Sequence, residues 1–177
     1  MSFEKTLKRE TVCENKIFTV VKKTVELENG SVHRRDVVLH NGGASVVAID
    51  GEGFVYLVRQ FRSPFECEVL EIPRGKLEKG ENPLDAAKRE LAEETGFAAD
   101  SFCDLGQMWP TVGYCGEIIY IYLATGLTAG DKHPDEDEFL NTVKIPFEKA
   151  YEMCLSGEIK DGKTLVGIMK AKEYLSK

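Results

Sequence analysis

Three glutamates, Glu90, Glu93 and Glu94, crowd together in a stretch that opens at Gly75 and runs GKLEKGENPLDAAKRELAEETGF to Phe97. Carboxylates are hard oxygen donors, and Mg²⁺ is commonly held by one or two of them together with substrate phosphates. Such a site suits phosphoryl transfer to water. The cation polarises a phosphoryl oxygen, lowers the pKa of a bound water, and bridges attacking and leaving groups. The competing reading is a solvated acidic helix face. Crowding favours the cation, because like charges at i,i+4 repel by roughly a few tenths of a kcal/mol. Anions near a helix C-terminus are disfavoured by about as much. Arg89 can pair with Glu93 but cannot neutralise all three carboxylates.

A helix must carry these groups. Asn82 is a good N-cap, and Pro83 fits the first helical position, where its missing N–H costs nothing. Leu84, Ala87 and Leu91 recur at helical spacing and form one apolar stripe. Gly96 is a natural C′ residue. At about 100° per residue, Glu90, Glu93 and Glu94 share an arc beside that stripe.

Phosphates also need positive partners. Arg59 and Arg62, in VRQFR, lie at the end of an apolar strand pattern before the glutamate-bearing helix. Arg62 could fork onto a diphosphate, a geometry lysine cannot match; a surface arginine pair is the plain alternative. The run Asp135-Glu136-Asp137-Glu138 reads either as a solvated loop or as the source of a general base for the attacking water.

The chain has 177 residues, enough for one domain with a real core and a small appendage. Its net charge of −7 argues against a nucleic-acid backbone as the main partner. It does not argue against a nucleotide, since metal ions bridge acid to phosphate. No apolar run approaches a membrane span, and MSFEKTLKRE lacks the apolar core of a signal peptide. The five cysteines are scattered and odd in number, which fits reduced thiols in the cytoplasm. The histidines His33, His40 and His133 show no metal-ligand spacing.

The patterning predicts strands over Ile17–Leu27 and Ser31–Leu39 around an Asn29-Gly30 hairpin turn. Further strands are expected over Ala44–Ile49, Phe54–Arg59, Val69–Ile72, Phe102–Trp109, Ile118–Ala124 and Thr142–Ile145, with an acidic loop at Asp131–Glu138. Two amphipathic helices close the chain, one through Phe147, Ala150, Tyr151, Cys154 and Leu155, the other through Leu165, Ile168, Met169 and Leu175. The expected fold class is α/β: an α/β/α sandwich whose helices cover a mixed sheet, with an N-terminal antiparallel hairpin or sheet as a separate layer. The expected division is residues 1–40 for that layer and 41–177 for the main domain.

The stretch from Gly75 matches, position for position, the signature of the Nudix hydrolases, G-x5-E-x7-R-E-U-x-E-E-x-G-U, where U is bulky and apolar. Gly75, Glu81, Arg89, Glu90, Leu91, Glu93, Glu94, Gly96 and Phe97 fill its fixed places. Beyond this box, VRQFR, LEIPRGKLEKGE, WPTVGYCGEIIYIYLA, HPDEDEF and EIKDGKTLVGIMKAKEYL resemble the ADP-ribose pyrophosphatase branch over nearly the whole chain. Pro110 resembles the proline that often follows the box in that branch.

The resemblance implies hydrolysis of ADP-ribose to AMP and ribose 5-phosphate with Mg²⁺, Mn²⁺ being a substitute, by a homodimer whose N-terminal sheets exchange. It implies Glu90 and Glu94 as metal ligands, Glu138 as a further one, and the backbone carbonyl of Arg74 as another. Many members carry alanine where Arg74 stands. It makes Glu93 a carboxylate that supports them or binds a further ion, Glu136 the general base, Arg62 the phosphate-binding arginine and Glu117 a contact to the terminal ribose. Phe18 and Arg35 would hold adenine across the dimer. Other readings are the same chemistry on another nucleoside diphosphate sugar such as GDP-mannose, or on a dinucleoside polyphosphate, and a sensor that binds nucleotide without turnover.

Overall fold

The computed structural model describes residues 3–130 and 141–177. The chain falls into two compact units, Met1–Gly42 with Trp109–Ile118, and Gly43–Met108 with Ile119–Lys177.

The first unit is a three-stranded antiparallel sheet in the order β1 (Glu4–Glu14), β2 (Phe18–Leu27), β3 (Val32–His40). The β2–β3 hairpin turns at Asn29-Gly30, as its sequence predicts. Strand β1 adds a third strand, which the apolar patterning does not predict, to the expected N-terminal hairpin or sheet. All of its residues are exposed, and EKTLKRETVCE has no apolar alternation to announce it. Its pairing with β2 rests on the backbone ladder, bent by irregularities at Thr6/Lys8 and Thr11/Cys13. Val21 and Val25, on one face of β2, are buried. The segment Trp109–Ile118 joins this unit because Val38 exchanges backbone bonds with it. Its N–H donates to the Tyr114 carbonyl at 2.8 Å, and its carbonyl accepts from the Gly116 N–H at 2.9 Å.

The second unit is built on a mixed sheet in the order β10-β5-β4-β9-β8. These strands are β4 (Gly43–Ile49), β5 (Phe54–Arg62), β8 (Phe97–Met108), β9 (Ile119–Ala129) and β10 (Asn141–Pro146). Strands β4 and β9 run parallel, and the other neighbours are antiparallel. Strands β4 and β5 pair only at Ala48–Tyr56 and Ile49–Val55. Beyond that point β6 (Cys67–Glu71) takes up β5 and β7 (Arg74–Lys76) takes up β4. The sheet therefore forks where the chain approaches its acidic helix.

Helix α1 (Pro83–Thr95) packs on one face of this sheet, and α2 (Phe147–Ser156) and α3 (Gly162–Leu175) on the other. Strand β4 alternates between them, as a strand buried on both faces must. Ala44, Val46 and Ala48 meet Ala86, Ala87 and Leu91 of α1; Val47 and Ile49 meet the layer of Ile72, Ile121, Met153 and Ile168. Small residues on the α1 side let the helix approach closely. Leu91 is fully buried, a placement that stabilises by about 1.5–3 kcal/mol. The α/β architecture with helices on both faces of a mixed sheet thus matches the expectation.

The β4–β5 turn is pinned by Asp50. Its carboxylate accepts from the Glu52 N–H at 3.0 Å, the Phe54 N–H at 2.9 Å and the Tyr56 hydroxyl at 3.1 Å, and pairs with Lys144 Nζ at 2.8 Å.

Candidate active site

The ends of α1 form as its sequence dictates. Asn82 Oδ1 accepts from the Leu84 N–H at 2.9 Å, Pro83 takes the first turn, and Gly96 ends the helix at φ 76°. With the apolar stripe turned to the sheet, Glu90 and Glu94, one turn apart, are carried inward with it. They are only 9 % and 3 % exposed, while Glu93 is half-buried.

Strand β7 lies against this buried pair. A Cβ on Gly75 would stand 1.5 Å from Glu90 Oε1, so only glycine leaves room for that carboxylate. The Arg74 backbone N–H donates to Glu94 Oε2 at 3.1 Å. The Thr142 hydroxyl of β10 donates to the Glu94 carbonyl at 3.4 Å. The start of the box, on β7, is thus brought against the helix glutamates Glu90 and Glu94, with β7 itself held by pairing to β4.

Arg89 spans more carboxylates than its spacing with Glu93 suggests. Nη1 donates to Glu90 Oε1 at 2.7 Å and to Glu93 Oε2 at 2.8 Å. Nε and Nη2 reach Glu81 at 3.2 and 3.3 Å, and Nη2 also reaches the Lys76 carbonyl at 3.3 Å. Burial opposes the charge on Arg89, but the Glu81 hydrogen bond and the Glu90 and Glu93 charges outweigh it and raise its pKa. The Arg89 hydrogen bond, with the Glu78 N–H at 2.8 Å, holds the Glu81 carboxyl below its usual range.

Arg62 is committed in an unexpected way. Its fork is laid on Glu71, Nε to Oε1 at 2.6 Å and Nη2 to Oε2 at 2.7 Å. Glu71 is 2 % exposed and is also held by Lys163 Nζ, itself 5 % exposed. Burial pushes the Glu71 carboxyl up, but the Arg62 hydrogen bond and the Lys163 charge outweigh it, so its pKa is lowered. Sequence reasoning missed both Glu71 and Lys163. One signal was present: Lys163 falls in the first turn of a helix, where the dipole disfavours a cation unless an anion faces it. Arg59, on the same strand as Arg62, makes no ion pair with a described residue.

The remaining expected residues are placed as follows. Glu117 lies in the first unit, its Oε1 3.7 Å from His40 Nδ1. That nitrogen also accepts the Gly42 N–H at 2.9 Å. Phe18 sits opposite His40 in the β2–β3 register and is 38 % exposed. Arg35, on β3, is paired with Glu4 at 2.6 Å. Glu136 and Glu138 lie outside the described residues.

Among the described residues no group of three or more acidic, histidine or cysteine side chains converges on a cation position. The residues present nonetheless fit Mg²⁺, which needs one or two carboxylates and completes its shell with water and substrate phosphate. Glu90 and Glu94 supply two such oxygen donors, and Gly75 keeps the space beside one of them clear.

The NUDIX domain family model matches residues 39–165, more than half of the chain. The chain is 38 % identical over 176 residues to the ADP-ribose pyrophosphatase of Bacillus subtilis (strain 168), covering 97 % of this chain and 95 % of that one. It is 36 % identical over 167 residues to the methanol dehydrogenase activator of Bacillus methanolicus, covering 93 % and 90 %. A solved structure titled as an ADP compounds hydrolase superposes with a TM-score of 0.85 at 24 % identity, covering 98 % of this chain and 94 % of that one, which shows a shared fold.

Proposed function

We propose, because this chain belongs to the Nudix family, that it is a pyrophosphohydrolase that cleaves ADP-ribose to AMP and ribose 5-phosphate. The observation that carries this is the buried pair Glu90 and Glu94, held against β7 by the Gly75 gap and the Arg74 N–H. The 38 % identity to the ADP-ribose pyrophosphatase of Bacillus subtilis supports the substrate. Bound Mg²⁺, or Mn²⁺ in its place, would supply charge neutralisation at the diphosphate and an activated water.

Glu90 and Glu94, with the Arg74 carbonyl and Glu138, are the proposed ligands. Arg89 bridges Glu81, Glu90 and Glu93 and so fixes the rotamers of the helix carboxylates. Glu93 supports the ligand pair, and Glu136 is assigned to take the proton from the attacking water. Arg62 and Arg59 are assigned to the diphosphate. The fork of Arg62 is laid on Glu71, so Nη1 is the nitrogen assigned to substrate oxygen. Resemblance alone assigns Glu117 to the terminal ribose, and Phe18 and Arg35 to adenine in a homodimer. The five unpaired thiols support a cytoplasmic setting, and the partner is a small nucleoside diphosphate sugar rather than nucleic acid or membrane.

The test is turnover of a nucleotide-sugar panel, including ADP-ribose and GDP-mannose, with Mg²⁺ in ¹⁸O-labelled water. Release of AMP from ADP-ribose at the highest kcat/KM supports the proposal, and the label reports which phosphorus is attacked. Preference for GDP-mannose would replace the substrate. Nucleotide binding with no turnover would leave only a sensor.

A further inference from the structure

Arg62 is anchored by a buried chain of groups that leads to the C-terminal helix. Lys163 Nζ grips Glu71 and lies 2.9 Å from Asp161 Oδ2. Asp161 Oδ2 caps α3, accepting from the Thr164 N–H at 3.0 Å and from the Thr164 hydroxyl at 2.6 Å. Thr164 Oγ1 in turn accepts from the Ile72 N–H at 2.8 Å. The first turn of α3 is therefore fastened twice to the β6–β7 connection, once through the Glu71 side chain and once through the Ile72 backbone.

This arrangement has a cost that packing alone does not explain. Burying Lys163 and Glu71 takes two charges out of water, and an apolar pair of similar volume is often as stable or more so. A bidentate carboxylate fixes the plane of a guanidinium, and an arginine otherwise carries about 2 kcal/mol of rotamer entropy. Arg62 is 37 % exposed at its side chain, and its Nη1 makes no hydrogen bond to a described residue.

We propose that Lys163 and Glu71 are positioning residues, which lock Arg62 by its Nε–Nη2 edge so that Nη1 is presented in one orientation to a diphosphate oxygen. The inference rests on the assignment of Arg62 to the diphosphate. It makes the first turn of α3 part of the substrate-binding machinery although it touches no substrate.

The test is a double-mutant cycle on kcat/KM for ADP-ribose with Arg62→Ala, Lys163→Met and the combined variant, with folding checked by thermal melts. The expected loss for Arg62→Ala is on the order of tenfold to a hundredfold. Lys163→Met should reproduce most of that loss, the combined variant should be no worse than Arg62→Ala, and Lys163→Arg should restore activity. Lost stability by itself would lower activity by the same factor with or without Arg62. Additive losses, or an unaffected Lys163→Met, would overturn the positioning role while leaving the Arg62 assignment standing. An unaffected Arg62→Ala would instead remove that assignment. Should Lys163→Met not fold, Glu71→Gln, which keeps the volume, takes its place in the cycle with the same expected outcomes.

Discussion

The carboxylate of Glu90 occupies the place that a side chain on residue 75 would need, with Oε1 1.5 Å from where the Cβ would be. Two positions fifteen residues apart in sequence, 75 and 90, thus share one volume. The glycine that opens the box is there to let a strand lie flat against a helix carboxylate. Any larger residue must push Glu90 aside.

Gly75→Ala should therefore damage function more than fold. Overpacking of this kind costs typically about 1–3 kcal/mol of stability. A displacement of about 1 Å at a catalytic group lowers the rate on the order of a hundredfold. Thermal melts and kcat/KM on the same preparation check this. A variant with near-normal turnover would show that the position of Glu90 is unimportant.

The helix caps and the box were legible because each depends on local chemistry. Asn82, Pro83 and Gly96 act on backbone groups within a turn of themselves. What escaped depends on distant partners. Strand β1 has no apolar alternation, and it exists because β2 offers a free ladder. Lys163 and Glu71 lie 92 residues apart and are buried against the habit of their types, so neither announces the other. The binding of Trp109–Ile118 to Val38 uses backbone groups only and leaves no mark on the side-chain pattern. The expected roles of Glu136 and Glu138 rest on resemblance, since both lie outside the described residues.

Asp50 should impose an acid limb on stability. Burial raises its carboxyl, but the Lys144 ion pair and the Phe54, Glu52 and Tyr56 donors outweigh it and hold it at about 2, against an ordinary 3.8. A depressed folded-state pKa contributes stability that is complete above the unfolded value and is lost as pH falls through the folded one. The window here is from about pH 4 to about pH 2. Lys144 is partly exposed, so solvent screening weakens the contribution. Urea unfolding of wild type and Asp50→Asn across that window should show the two curves converging as pH falls. Parallel curves would show that Asp50 does not carry the effect.

The thiols should separate into distinct classes. Cys13 and Cys67 are exposed, whereas Cys154 is buried on the inner side of α2 and its thiol is pushed up to about 11 by that burial. A colorimetric thiol reagent at pH 8 should label Cys13 and Cys67 quickly, and Cys154 only after denaturant is added. Mass spectrometry of the labelled peptides identifies the sites. Rapid native labelling of Cys154 would contradict its placement in the core.

The most direct measurement is calorimetric titration of Mg²⁺ into the folded protein in the presence of a non-hydrolysable ADP-ribose analogue, beside the Glu90→Gln/Glu94→Gln double variant. The amide oxygen that Glu94→Gln introduces can still accept the Arg74 N–H, so the variant should remain folded by circular dichroism. The expected result is Mg²⁺ uptake by the wild type that disappears in the variant, together with a loss of turnover of about a thousandfold or more. Equal uptake and equal turnover by both proteins would contradict the assignment of this helix pair as the seat of the cation.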